Sequence, residues 1–216
     1  MKKIAVLTAL LFAALQIGYA QKVGLVLSGG GAKGAAHIGV IKALEENGIP
    51  IDYITGTSAG AIVGSLYAMG YTPEEMVELM LSEEFSYWQT GTVENEYKYY
   101  FKRPDPTPEF GHFSIDMTDS LQVKASFLPQ SLINPIQMNQ AFMALFSQAT
   151  AKAGWNFDNL FVPFRCVASD IYSKKAIIFK NGDLGDAVRA SMTFPFFFQP
   201  IWKDSVPIFD GGIYDN

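Results

Sequence analysis

The first third of the chain alternates short apolar runs with segments whose apolar residues recur at helical spacing. The runs 23–27 and 51–55 are short and bounded by polar or glycine residues, which is typical of buried strands. Each run is followed by a segment of helical periodicity, over 35–47 and 61–69. This βαβα order predicts a parallel sheet with helices packed on it, and therefore an α/β fold.

Boundary residues predict further helices downstream. Thr72, with Pro73 at the first helical position and Glu75 three residues after the threonine, has the pattern of a capping box. Asn134 followed by Pro135 predicts a second capped helix start. The remaining predicted elements are strands at 164–168 and 176–179 and a helix at 183–192.

The stretch 85–132 departs from both periodicities, because its aromatic, charged and proline residues follow no regular order. A lid or a membrane-facing flap has this composition, and so does an ordinary hairpin excursion with cross-strand aromatic pairs. Both alternatives stay open at the level of the sequence.

Composition narrows the classes of function. The chain has 16 Lys and Arg against 21 Asp and Glu, and this net charge of −5 gives no reason to expect a nucleic-acid partner. The one cysteine, Cys166, lies in an apolar run and cannot form an internal disulfide, so we expect a buried thiol. No Cys/His cluster has metal-ligand spacing, and we expect no metal ion.

The first 20 residues have the pattern of a secretory signal peptide. Two lysines precede an apolar run over 4–15, and Gly18 and Ala20 supply the small residues that a signal peptidase reads. The run is too short to span a bilayer comfortably. We therefore expect cleavage after Ala20, an exported protein, and one domain over 22–216.

A candidate nucleophile lies at the turn between the second predicted strand and the helix after it. The residues there are Gly56, Thr57, Ser58, Ala59 and Gly60. A sharp strand-to-helix turn projects a serine Oγ out of the sheet, and the helix N-terminus supports negative charge. A side chain at either glycine would collide with neighbouring backbone at so tight a turn. The pattern predicts a nucleophile elbow.

A glycine-rich loop follows the first predicted strand. Its residues are Gly29, Gly30, Gly31, Ala32, Lys33 and Gly34. Unobstructed backbone N–H groups at the start of a helix suit an anion, either a dinucleotide pyrophosphate or the oxyanion of an acyl-transfer intermediate. Asp52 stands near where a ribose-binding acid is expected, but it lies at the beginning of its strand. The carboxyl end, where such an acid belongs, carries Ser58, which favours the oxyanion. Lys33 adds positive charge to this site or is simply solvated.

A serine nucleophile needs a base, and the two histidines are poorly placed to provide it. His37 precedes Ser58 on a helix face expected to pack, and His112 lies in the irregular stretch. The chain order of an α/β-hydrolase triad would require a later histidine, and none follows His112. Asp210 provides a carboxylate at a predicted strand end, although the Asp-Gly that it begins is also common turn chemistry.

Four blocks in this order resemble the patatin-like phospholipase family and cover essentially all of residues 22–216. They are the loop at 29–34, the elbow at 56–60, the stretch 190–195, and Asp210 with its two glycines. The resemblance implies a patatin-type three-layer α/β fold with a mostly parallel central sheet flanked by helices. It also implies a histidine-free dyad of Ser58 and Asp210. The implied oxyanion hole is Gly29, Gly30 and Gly31, and the residues supporting the motifs are Lys33, Gly34, Gly56, Gly60, Gly211 and Gly212.

The resemblance further implies hydrolysis of acyl esters of phospholipids or related lipids, at a membrane surface and without a cofactor. The exported form resembles bacterial members whose patatin domain precedes an outer-membrane β-barrel, so we expect a location in the periplasm, the outer membrane or the cell surface. In the family the Asp-Gly-Gly block is followed by an asparagine, matched by Asn216, and usually by a proline and further chain. We therefore expect a fragment whose C-terminal part is missing.

Two functions of other classes are alternatives. A nucleotide-binding oxidoreductase would use the glycine loop for a pyrophosphate, but the elbow and the predicted signal peptide disfavour it. A catalytically idle lipid-binding module or adhesin would keep the fold without the chemistry, and the intact Ser58 and Asp210 argue against it.

Overall fold

The computed structural model describes residues 21–93 and 131–216, together with the backbone of two strands between these ranges. The helices are α1 (Gly34–Glu46), α2 (Ala59–Ala68), α3 (Pro73–Leu81), α4 (Glu83–Thr90), α5 (Ile136–Lys152) and α6 (Leu184–Ser191). The strands are β1 (Gly24–Leu27), β2 (Tyr53–Thr57), β3 (His112–Asp116), β4 (Gln122–Ser126), β5 (Phe164–Asp170), β6 (Lys175–Phe179), β7 (Ile201–Lys203) and β8 (Val206–Asp210). Short 3-10 turns cover Gly31–Lys33, Phe157–Asn159 and Gly211–Ile213.

The centre of the main sheet is parallel. β1 pairs with β2 from Gly24 opposite Tyr53, and β2 pairs with β5 from Ile54 opposite Phe164. The predicted α/β class, with parallel strands and flanking helices, is confirmed. Because all three strands run the same way, their carboxyl ends meet at one edge of the sheet, where β2 ends at Thr57.

Strands β2 and β8 pair with successive parts of the same edge of β5. Val167 pairs with Thr57 of β2, and the next residue, Ala168, pairs with Asp210 of β8, which runs antiparallel. The other edge of β5 is occupied by β6 over its whole length, from Phe179 to Lys175. The last residue of β8 therefore lies directly beyond the last residue of β2.

Helices α2 and α6 cover one face of this sheet. Its side chains Leu27, Ile54, Phe164 and Cys166 are at most 2% exposed. A Cβ on Gly64 of α2 would lie 2.9 Å from Ile54 and 3.2 Å from Phe164, so the glycine lets the helix approach closely. Residues on the opposite face are more exposed, including Val26 at 74% and Ile178 at 62%.

Most predicted helix boundaries are confirmed. Thr72 Oγ1 accepts from the Glu75 N–H, and the Glu75 carboxylate accepts from the Thr72 N–H, so the capping box is complete. The start predicted at Asn134 is one residue early, because α5 begins at Ile136 and Pro135 is its N-cap; Asn134 Oδ1 still accepts from the Ile136 N–H. Local hydrogen bonds of this kind can be read from a few neighbouring residues.

Two expectations require correction. The second strand begins at Tyr53 and reaches Thr57, two residues later than predicted, because Asp52 instead uses its carboxylate to accept from the Val23 N–H at 2.7 Å. The helix α4 lies partly in the stretch predicted to be irregular. Ser82 caps it by accepting from the Phe85 N–H, and Phe85 is buried.

The hairpin alternative for 85–132 accounts for β3 and β4, which pair antiparallel. The rest of the proposed lid, at 94–111, 117–121 and 127–130, lies outside the described residues, as does the predicted signal peptide at 1–20. Within the ranges that the structure describes, no helix combines the length and apolarity that crossing a membrane requires.

Candidate active site

Ser58 occupies a strained turn between β2 and α2. Its φ of 52° and ψ of −119° lie outside the regions that side-chain-bearing residues normally adopt. Such strain persists only where the surrounding structure enforces it, and it is common at functional sites. Ser58 is partly buried, whereas the residues on both sides of it are buried. This is the strand–turn–helix geometry of a nucleophile elbow.

The glycines of the elbow are required by close backbone contacts. A Cβ on Gly56 would collide with the carbonyl oxygen of Gly60. A Cβ on Gly60 would collide with the carbonyl oxygen of Leu27 at the end of β1. The two glycines therefore allow the first turn of α2 to pack directly against the strands, as the sequence pattern predicts.

A hydroxyl from α6 holds the backbone of the elbow. Ser191 is fully buried, and its Oγ accepts from the Ser58 N–H at 2.9 Å while donating to the carbonyl oxygen of Val167 on β5. One side chain thus joins the nucleophile turn, the central strand and the end of α6. This link spans 133 residues of sequence, and nothing local to either serine indicates it.

Asp210 lies at the end of β8 beside the elbow. It is 6% exposed, its N–H donates to the Thr193 carbonyl at 2.8 Å, and its Oδ1 accepts from the Gly212 N–H at 2.8 Å. A Cβ on Gly211 would collide with the Val167 carbonyl, so this glycine lets the chain turn against β5 directly after the carboxylate. The Asp-Gly-Gly block therefore fixes both the position and the orientation of the Asp210 side chain.

The thiol of Cys166 lies near Ser191 and Asp210 and is unreactive. Its pKa is raised to about 12, chiefly by burial; the hydrogen bond with Ser191 lowers this pKa, and the nearby Asp210 carboxylate raises it. The thiol donates to the Ala187 carbonyl at 3.1 Å. It stays protonated at any ordinary pH and is therefore a poor nucleophile. The prediction of a buried cysteine is confirmed.

Of the glycine loop, Gly29 is placed against the elbow. A Cβ built on Gly29 would lie 3.0 Å from the Cβ of Ser58 and 3.0 Å from Oδ1 of Asn216. The Gly29 N–H donates to that Asn216 oxygen at 2.6 Å. The Gly29 N–H thus donates to a carboxamide oxygen close to the elbow.

The other loop residues form a turn into α1. Gly30 and Gly31 have positive φ, 141° and 51°, and both are exposed. The side chain of Lys33 folds back over Gly30, where a Cβ would lie 2.9 Å from its Cδ. Gly34 is buried, and a Cβ there would lie 3.3 Å from the Cβ of Ala59 in the elbow. The loop is therefore packed against the elbow through Gly29 and Gly34.

The residues considered as alternatives have structural contacts. His37 lies on α1, and its Nε2 is 2.8 Å from the carbonyl oxygen of Ser28, which fits the packing role expected for it. Asp52 ties the beginning of β2 to the beginning of β1, at the end of the sheet away from Ser58. The backbone of His112 belongs to β3, and its side chain lies outside the described residues. In the described part of the chain, no group of three or more His, Cys, Asp or Glu residues could hold a metal ion.

Fold and site together define an α/β protein with a strand-to-helix turn of nucleophile-elbow geometry, a buried carboxylate beside that turn and a glycine loop packed against the turn. The chain belongs to the patatin-like phospholipase family, whose model matches residues 25–216. It is 31% identical over 197 residues to the lysophospholipase NTE1 of Pyricularia oryzae and 30% identical over 198 residues to the human patatin-like phospholipase domain-containing protein 6.

These relatives are much longer proteins. The matches cover 91% and 90% of this chain but only 11% and 12% of the two relatives. Among solved structures, VipD from Legionella pneumophila is similar, with a TM-score of 0.55 and 18% identity over 90% of this chain and 46% of that one. That similarity supports the fold.

Proposed function

We propose that the chain is a lipid acyl hydrolase in which Ser58 is the nucleophile and Asp210 its base. One observation carries the proposal. Val167 of β5 pairs with Thr57, the residue before the strained Ser58, and the next residue of β5 pairs with Asp210. The turn that carries the serine and the residue that carries the carboxylate are therefore neighbours in the sheet. The family supports hydrolysis of lipid esters, and the geometry supports the division of roles between these two residues.

In the proposed mechanism Asp210 accepts the hydroxyl proton as Ser58 Oγ bonds to the ester carbonyl carbon. The resulting oxyanion is stabilised by backbone N–H groups of Gly29, Gly30 and Gly31. Asp210 then gives the proton to the leaving alcohol as the ester C–O bond breaks, which leaves an acyl-enzyme. A water molecule then gives a proton to Asp210 as it attacks the acyl carbon. The bond between the acyl carbon and Ser58 Oγ breaks, Asp210 returns the proton to Oγ, and the fatty acid is released.

Oxyanion stabilisation should supply most of the reduction in the barrier, because a carboxylate is a weaker base than imidazole. One oxyanion donor is typically worth about 2.7–4 kcal/mol. The Gly29 N–H already points at the Asn216 carboxamide oxygen, so binding of an ester would exchange one carbonyl oxygen for another at this donor.

The proposed substrates are phospholipids or other lipid esters at a membrane surface. The relatives named above are a lysophospholipase and a patatin-like phospholipase domain-containing protein, which supports this class. We also propose that the protein is exported, to the periplasm, outer membrane or cell surface, and that an outer-membrane barrel follows the domain in the full-length protein. The signal-peptide pattern of the first 20 residues supports export.

The dyad is tested by the release of fatty acid from a short-chain ester. Ser58→Ala and Asp210→Asn should each abolish turnover, while Ser65→Ala should leave it unchanged, because Ser65 is a buried serine of α2 that bonds only the Ile62 carbonyl among its described contacts. Retained turnover in both site variants would contradict the dyad. Lipid binding by the wild type without any turnover would instead indicate an idle lipid-binding module.

A further inference from the structure

Three neighbouring phenylalanines project from the loop between α6 and β7. The exposed fraction is 56% for Phe194, 75% for Phe196 and 45% for Phe197. The rings of Phe194 and Phe197 pack edge to face with centroids 5.7 Å apart, while Phe198 is buried beneath them. We call the three exposed residues the phenylalanine patch. A cluster of exposed aromatic rings marks an interaction surface more often than isolated apolar residues do.

The loop that carries the patch is fixed by hydrogen bonds. The carbonyls of Phe196 and Phe197 accept from the N–H groups of Leu132 and Ile133, each at 2.9 Å. Phe196 has a φ of 68°, a left-handed conformation that is unfavourable for a bulky side chain. Such a conformation persists only when the surrounding structure holds it, and it is associated with function. The most exposed ring is thus displayed at a conformational cost.

The patch is attached to both proposed catalytic residues. Ser191, three residues before Phe194, holds the Ser58 N–H, and the carbonyl of Thr193 accepts from the Asp210 N–H at 2.8 Å. A molecular surface that binds these rings would therefore lie beside the elbow. These hydrogen bonds fix the position of the patch relative to the proposed nucleophile.

The patch is also free of charge. Residues 190–202 contain no Asp, Glu, Lys or Arg, and the neighbouring Arg189 is buried at 3% exposure, where its guanidinium donates to Thr193 Oγ1 and the Gln199 carbonyl. Aromatic rings on a loop without an exposed basic side chain suit insertion among zwitterionic lipids rather than electrostatic attachment to an anionic membrane. We propose that the phenylalanine patch docks the protein on a zwitterionic lipid surface and holds Ser58 at that interface. The inference rests on the proposed lipid ester substrate.

Phe196→Gly tests the docking without endangering the fold. Glycine adopts a positive φ at no steric cost, so the variant should melt no lower than the wild type while lacking the most exposed ring. Binding to phosphatidylcholine vesicles, measured by co-sedimentation, should fall about tenfold. Wild-type binding should change little between roughly 0.1 and 0.5 M salt, since insertion of apolar rings is not screened.

Trp155→Gly is the matched control. Trp155 is 58% exposed, has a φ of 63°, and lies beyond the end of β6, at the end of the sheet away from the elbow. This variant should bind vesicles as the wild type does. Equal losses in the two variants, or wild-type binding by Phe196→Gly, would overturn the proposal.

Two activities separate this proposal from the catalytic one. The ratio of hydrolysis of vesicle lipid to hydrolysis of a water-soluble ester should fall about tenfold in Phe196→Gly. An unchanged ratio would count against docking even if the dyad is correct. Vesicle binding needs no chemistry, so it tests the patch even if Ser58 turns nothing over.

Discussion

At the scale of the residue, Ser58 is held from several sides. Gly56 and Gly60 permit the contacts of α2 with the strands, and the Ser191 hydroxyl accepts a hydrogen bond from the Ser58 N–H. The hydroxyl of Ser191 is fully buried, so its loss would leave the Ser58 N–H and the Val167 carbonyl without their partner. The conformation of the elbow therefore depends on a residue that takes no proposed chemical role.

Ser191→Ala should impair turnover by loosening the elbow. We expect a loss of stability of about 1–3 kcal/mol from unsatisfied backbone groups, and a fall in kcat of about tenfold or more because the nucleophile is misplaced. KM should change little, since the substrate contacts remain. Urea unfolding and steady-state kinetics on a soluble ester measure the two effects.

Ser65→Ala separates positioning from a general loss of stability. Ser65 is equally buried but bonds a carbonyl within its own helix, at Ile62. It should lose at most about 1 kcal/mol and keep wild-type kcat. A kcat in Ser191→Ala equal to that of Ser65→Ala would show that the Ser191 hydrogen bond does not position the nucleophile.

The sequence predicted the residues whose role is local. The strand-to-helix turn at Ser58, the need for glycine at Gly56 and Gly60, and the burial of Cys166 follow from neighbouring residues and are seen in the structure. The link from Ser191 to Ser58 was not predicted, because residues so far apart meet only once the sheet order is known.

At the scale of the element, the closest helix–sheet contact depends on Gly60. Gly60→Ala should destabilise the fold by about 3 kcal/mol or more and abolish turnover, because its Cβ would collide with backbone of β1 that cannot move alone. Gly39 is the contrasting site. It is exposed within α1, and a Cβ there would meet no atom within 4 Å, so Gly39→Ala should gain roughly 0.5–1 kcal/mol.

Denaturant unfolding of the two alanine variants measures this contrast, with activity on a soluble ester as the second readout. Similar stability changes at Gly60 and Gly39 would contradict the close packing of α2 against β1. The comparison uses the same substitution in both helices, so the difference reports the surroundings rather than the intrinsic helix preference of alanine.

Capped helices were the elements that the sequence placed best. Thr72 caps as predicted, since capping is settled within one turn of helix, whereas α5 begins one residue later than Asn134 and Pro135 predicted. The helix α4 was not predicted, because its short sequence begins with two glutamates and only Phe85 is buried. The start of β2 was predicted two residues too early, because Ile51 is buried and apolar like a strand residue but precedes the strand.

At the scale of the whole molecule, the site is assembled from segments that are distant along the chain. The glycine loop, the elbow, the end of α6 and the end of β8 meet around β5. The order of these segments was visible in the sequence, but the antiparallel entry of β8 beside β2 was not. That entry depends on a long-range strand pairing, and it places Asp210 next to the end of β2, from which Ser58 follows.

The most direct test of the account is covalent labelling with a fluorophosphonate, followed by mass spectrometry of the labelled peptide. We expect a single adduct on Ser58, no labelling of Ser58→Ala, and labelling of Asp210→Asn slowed at least about a hundredfold through loss of its base. An adduct on another residue, or wild-type labelling of Asp210→Asn, would contradict the proposed dyad.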